Sequence, residues 1–105
     1  MSLMMGSLGG GQVIHKIDEY ASLISDFING DIDAVEFRDR YLDKFKNEEV
    51  SLPERSFDVL DRLFGDIDSF TEDEELLASI PDFYVDAKQL KKRAIKAVTE
   101  LAKTA

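Results

Sequence analysis

Apolar side chains in this chain return every three or four positions in run after run, and nowhere do they alternate long enough to make a strand. That periodicity commits the chain to helices. From Ile17 to Asn29, Ile17, Tyr20, Ala21, Ile24, Phe27 and Ile28 fall on one helical stripe, and Gly30 supplies the stop. Asp33 with Glu36 is an acidic variant of the capping box. It predicts a second helix that carries Phe37, Tyr41 and Phe45 inward and ends near Asn47. Ser51 with Glu54 repeats the device, with Pro53 in the first turn, and Phe57, Leu60, Phe64 and Ile67 form a third inward face. Gly65 stands in this run either as a tolerated weak point or as the helix terminus. A short helical turn fits Glu74 to Ala78, and Pro81 with Asp82 marks a loop. Asp86 with Gln89 then opens a last helix lined by Leu90, Ala94, Ala97, Val98 and Leu101. Four amphipathic helices with short connections pack most simply as an antiparallel four-helix bundle, so the expected fold class is all-α.

The chain has 105 residues, enough for one domain with one core, and residues 16–105 are assigned to it. Residues 1–15 open with MSLMMGSLGGG, which reads as a flexible leader or an expression scar, lacking the basic start and long apolar centre of a secretory signal. The apolar share of 44% can offset the entropy of ordering, so high charge here does not mean disorder. Cysteine is absent, which removes disulfides, thiolate metal sites and a cysteine nucleophile, and points to a reducing, cytoplasmic setting. No apolar run approaches the roughly 20 residues that span a bilayer.

Acids number 22 against 13 lysines and arginines, for a net charge of -9. Such a chain disfavours nucleic acid and anionic membrane as partners and favours a basic protein surface. The charge is uneven. All acids but Glu100 lie between Ile17 and Asp86, whereas Lys88, Lys91, Lys92, Arg93, Lys96 and Lys103 crowd the tail. That tail reads as a solvated helix face suited to a helix C-terminus and to acidic neighbours. From Gly65 through Ala87 there is no lysine or arginine, so repulsion among Asp66, Asp68, Glu72, Asp73, Glu74 and Glu75 is unrelieved locally. Asp58 and Asp61 extend this patch back along the third helix. These eight acids are the candidate partner-binding residues. A solubilising surface without a partner is the plain alternative.

Other chemistry fails on spacing. A twelve-residue calcium loop begun at Asn29 puts Ala34 at the required glycine and Arg40 at the closing glutamate. One begun at Asp66 puts Phe70 at a ligand position and Thr71 at the glycine. His15 is the sole histidine, so neither a histidine triad nor a multi-histidine metal site can be built, and Gly9 to Gly11 lack the rest of a phosphate loop. Carboxylates on a solvated stretch have nothing to raise their pKa, so no enzyme activity, metal or cofactor is expected. Asp68-Ser69-Phe70 resembles the Asp-Ser-Leu of acyl carrier proteins, although that serine opens a second helix and Ser69 follows a third apolar stripe.

Two stretches taken together, Asp26 to Tyr41 and Phe83 to Leu101, resemble immunity proteins of the colicin D type, a family found also beside contact-dependent toxins. Ile32, Ala34, Glu36 and Phe37 match the opening of that family's second helix, and Phe83, Val85 and Asp86 match the approach to its last. The resemblance implies a four-helix bundle that binds a cognate nuclease toxin, usually one cutting tRNA, and covers its basic active-site cleft. It places the decisive acids at the end of the third helix and in the next loop, where Asp68 and Asp73 match best, with Glu72 and Glu75 beside them. The segment from Glu75 to Pro81 is longer than the family's. An apolar contact from Phe70 or Phe83 is expected at the centre of such an interface. A competing reading is an acidic adaptor or regulator bound to an unrelated basic protein.

Overall fold

The structure, a computed structural model, describes residues 16–49, 51–80 and 83–104. The described residues form five helices: α1 (residues 16–28), α2 (Ala34–Lys46), α3 (Glu54–Asp68), α4 (Glu74–Ser79) and α5 (Ala87–Thr104). The protein is all-α, with four long helices and the short α4 inserted before the last. Residues 1–15, Val50, Pro81, Asp82 and Ala105 lie outside the described residues, so the assigned leader and the Pro81–Asp82 loop do too.

The turn from α1 to α2 follows directly from its sequence. Gly30 takes the left-handed conformation at φ 83°, its N–H donating to the Phe27 carbonyl (3.1 Å) while the Asp31 N–H donates to that of Asp26 (2.8 Å). This is the paired bonding of a Schellman motif, and glycine adopts it without the strain a Cβ brings. Asp33 then caps α2 by accepting from the Glu36 N–H at 2.8 Å. The chain reverses so tightly that Phe27 stacks on Phe37, ring centroids 4.5 Å apart, and Tyr20 meets Tyr41 edge-on at 5.7 Å. Helices α1 and α2 are therefore antiparallel.

At α3 the cap differs from expectation. Pro53 occupies the N-cap in an extended conformation (ψ 144°) with no side-chain cap bond, so Ser51 and Glu54 form no box. Proline has no N–H to give, and it forces the residue before it away from helix, which moves the start to Glu54. Through Gly65 the helix runs unbroken to Asp68, which settles the role of that glycine.

The buried face of α3 is Ser56, Val59, Leu60, Leu63 and Ile67. Leu60 and Ile67 are as expected, but Phe64 is only partly buried and Phe57 is exposed. Both phenylalanines sit at the margin facing α2, where they pack on Phe45 with centroid distances of 5.2 and 5.8 Å. The face turns toward Val59 and Leu63 because α5 packs against the opposite margin. There Arg62 reaches Glu100 (3.1 Å) and Arg93 reaches Asp66 (2.8 Å), a crossing order that makes α3 and α5 antiparallel. Helix α5 begins with a complete capping box: Asp86 accepts from the Gln89 N–H at 2.7 Å, and Gln89 accepts from the Asp86 N–H at 3.1 Å.

One core joins these faces, with Tyr20, Ile24, Phe37, Tyr41, Leu60, Leu63, Ile67, Leu90 and Leu101 almost wholly buried. The Tyr41 hydroxyl donates to the Leu60 carbonyl at 2.8 Å, and the Tyr20 hydroxyl donates to Glu48 at 2.9 Å. Burial above all raises the Tyr41 phenol far beyond its usual range, with the neighbouring Tyr20 and Asp61 adding to it. Burial followed by the Glu48 bond and charge does the same at Tyr20. The folded protein thus holds both phenol protons to higher pH than the unfolded chain. Their contribution is complete below about pH 10 and is lost as the pH rises beyond it. Tyr41→Phe should cost about 1 kcal/mol at pH 7 and flatten the fall in stability above about pH 10. Urea unfolding at a series of pH values measures both, and an unchanged alkaline slope would count against this account.

Candidate partner-binding surface

Glu54, Asp58, Asp61, Gly65 and Asp68 follow one another at spacings of four, three, four and three along α3, and all are exposed. Helical geometry puts them on a single outward face, because Val59, Leu63 and Ile67 hold the opposite side in the core. Asp68 ends the helix. The acidic run continues through exposed Glu72 and Asp73 into exposed Glu74 and Glu75 at the start of α4. Among the described residues no lysine or arginine pairs with Asp58, Asp61, Asp68, Glu72, Asp73, Glu74 or Glu75.

Two of the eight candidate acids have work inside the protein. Asp66 turns toward α5, its side chain 19% exposed and bonded to Arg93. Part of the expected repulsion is thus relieved from the tail, by a base 27 residues away that the local sequence could not reveal. Asp73 is the N-cap of α4, accepting from the N–H groups of Glu75 (2.9 Å) and Leu76 (3.3 Å). The remaining six hold their charge in solvent.

Both ends of the segment carrying these last acids are tied. The Val85 N–H donates to the Ser69 carbonyl (2.9 Å) and the Thr71 N–H to the Val85 carbonyl (3.0 Å), making a parallel bridge between Phe70 and Val85. Residues 71–84 leave and return at this bridge. Phe70 is buried there, 5.9 Å from the Arg38 guanidinium, which corrects its expected part as an interface anchor. Phe83, the other candidate, is exposed.

The description "bacterial self-protective colicin-like immunity" matches residues 15–101. The chain belongs to that family. No curated protein and no solved structure matches it at a significant level. The family match contains both stretches on which the resemblance was read, and it implies a toxin as partner. The acid-bearing end of α3 and the whole of α4 also fall within it.

Ser69 closes α3 as its C-cap and opens no helix. Asp66 and Asp68 lie within regular helix, and Asp33 is engaged in capping. Among the described residues no three of His, Cys, Asp and Glu converge to hold a metal, and no helix is long and apolar enough to cross a membrane. His15 lies outside the described residues.

Sequence reading missed Glu54 as the first member of the outward stripe, having assigned it to a cap, although its spacing to Asp58 and Asp61 carries the signal. Gly65 in the middle of that stripe has no structural need to be glycine. Its φ is not left-handed, and a Cβ there would meet nothing within 4 Å. Gly65→Ala should therefore stabilise the protein by about 0.5–1 kcal/mol. Urea unfolding measures the change, and a loss of stability would show that the site is tighter than described.

Proposed function

We propose that this immunity protein neutralises a cognate nuclease toxin, one that cuts tRNA, by laying its acidic surface across the toxin's basic active-site cleft. It acts by occupancy in the cytoplasm of the producing cell, without catalysis, and the same mode serves a bacteriocin or a contact-dependent system. The observation that carries this reading is the outward stripe Asp58, Asp61 and Asp68, continued by Glu72, Glu74 and Glu75, six exposed acids without a basic partner. A cleft that binds RNA phosphates presents lysines and arginines, and carboxylates in that place exclude the substrate while compensating the charge.

Long-range attraction between the two surfaces raises the association rate, and pairs that become desolvated slow dissociation. Asp66 contributes less than its neighbours because Arg93 already holds it. Asp73 has a double part, since its carboxylate both adds charge and caps α4. Reversing both Asp68 and Asp73 to lysine would remove that cap and unwind α4, so helical content would not stay constant.

Asp68→Lys with Asp73→Asn separates the effects, because asparagine caps about as well as aspartate. This double variant should keep the wild-type circular dichroism spectrum. Its association with the toxin nuclease domain should slow by about tenfold or more at low salt, with the gap narrowing as salt is added. Cells carrying it should lose protection. Wild-type association and full protection would remove the proposal.

A further inference from the structure

Helix α4 buries none of its side chains, yet its sequence is half apolar. Leu76, Ile80 and Phe83 stand four and three residues apart and are 37%, 50% and 61% exposed. The Ile80 N–H donates to the Leu76 carbonyl (3.2 Å) and the Phe83 N–H to that of Ile80 (3.1 Å), so backbone bonds link the three residues although Ile80 itself has left helical conformation (φ -137°, ψ 75°). The Phe83 ring meets the neighbouring Tyr84 edge-on at 4.9 Å. Three large apolar side chains so displayed cost solvation free energy with no return inside the protein. The excursion that bears them is kept in position by the Phe70–Val85 bridge at its base.

We propose that Leu76, Ile80 and Phe83 are the apolar anchor of the toxin interface, entering an apolar pocket rimmed by lysines and arginines on the toxin. This rests on the immunity reading above and assigns the second half of its energetics. Charge complementarity identifies the occupant. Glu72, Asp73, Glu74 and Glu75 directly precede the ridge, and no base occurs from Gly65 to Ala87, so the matching surface is basic. A second copy of this chain is a poor occupant, because a two-fold contact through α4 would set these acids against their own copies. The acids set the rate of encounter, and the ridge adds an apolar contribution to residence beside that of the desolvated charge pairs. A few large apolar and aromatic side chains near the centre of an interface carry much of its energy.

The test uses the full chain and the nuclease domain of the toxin encoded beside it. Leu76→Ala with Phe83→Ala removes only exposed groups, so unfolding should match wild type. Dissociation of the complex should quicken by about thirtyfold or more while association stays within about twofold, whereas the acidic variant loses association rate. Hydrogen exchange at residues 74–80 should be slower in the complex than in the free protein, and equal rates in the two would overturn the anchor. Dissociation unchanged in the apolar variant, with the acidic variant still defective, overturns the anchor and leaves the charge reading standing. A wild-type chain that does not bind the toxin removes both.

Discussion

Tyr41 lies where α1, α2 and α3 meet, its ring edge-on to Tyr20 and Phe37 and its hydroxyl bonded to the Leu60 carbonyl in the middle of α3. A backbone carbonyl within a helix already has a helical partner, and this second bond fixes the rotation of α3 about its axis as well as its distance. Phe45 adds to the hold by packing on Phe57 and Phe64 along the margin of α3 nearest α2. With its rotation set, α3 must turn Asp58, Asp61 and Asp68 outward. The acidic stripe is thus a consequence of how the aromatic cluster grips the opposite face.

Electrostatics follow from the same placement. Arg62 and Arg93 exchange partners across the seam between α3 and α5, so each helix lends a base to an acid of the other. Those pairs are partly exposed and contribute little to stability individually. Their larger effect is to sort the acids of α3 into those compensated at the seam and those left in solvent. Asp58, Asp61 and Asp68 are therefore left without a basic partner on one outward face of α3, and the acids at the start of α4 continue that surface.

The excursion between Phe70 and Val85 stands apart from the core. Buried Phe70 and Val85 anchor the core at the two ends, and between them α4 adds nothing to the buried interior. Side chains in such a segment can change without cost to the bundle.

Local rules made much of the molecule legible in sequence. Periodicity placed the helices, the Gly30 stop and the Asp33 and Asp86 caps appear as read, and most of the predicted stripes are the buried ones. These features depend on bonds between residues at most five apart, so neighbouring residues suffice to specify them. Apart from the Ser51–Glu54 box, which Pro53 breaks locally, the misreadings involve contacts far along the chain. Phe57 and Phe64 look like core by spacing, but a stripe alone cannot say on which side its neighbour helices lie. Asp66 looked uncompensated until Arg93 arrived from α5, and Phe70 looked like an anchor until the bridge to Val85 buried it. Composition and spacing gave an all-α protein with an acidic surface. Which acids stay in solvent, and that α4 displays its apolar side, came only from packing, because burial is a property of what meets a face and not of the face itself.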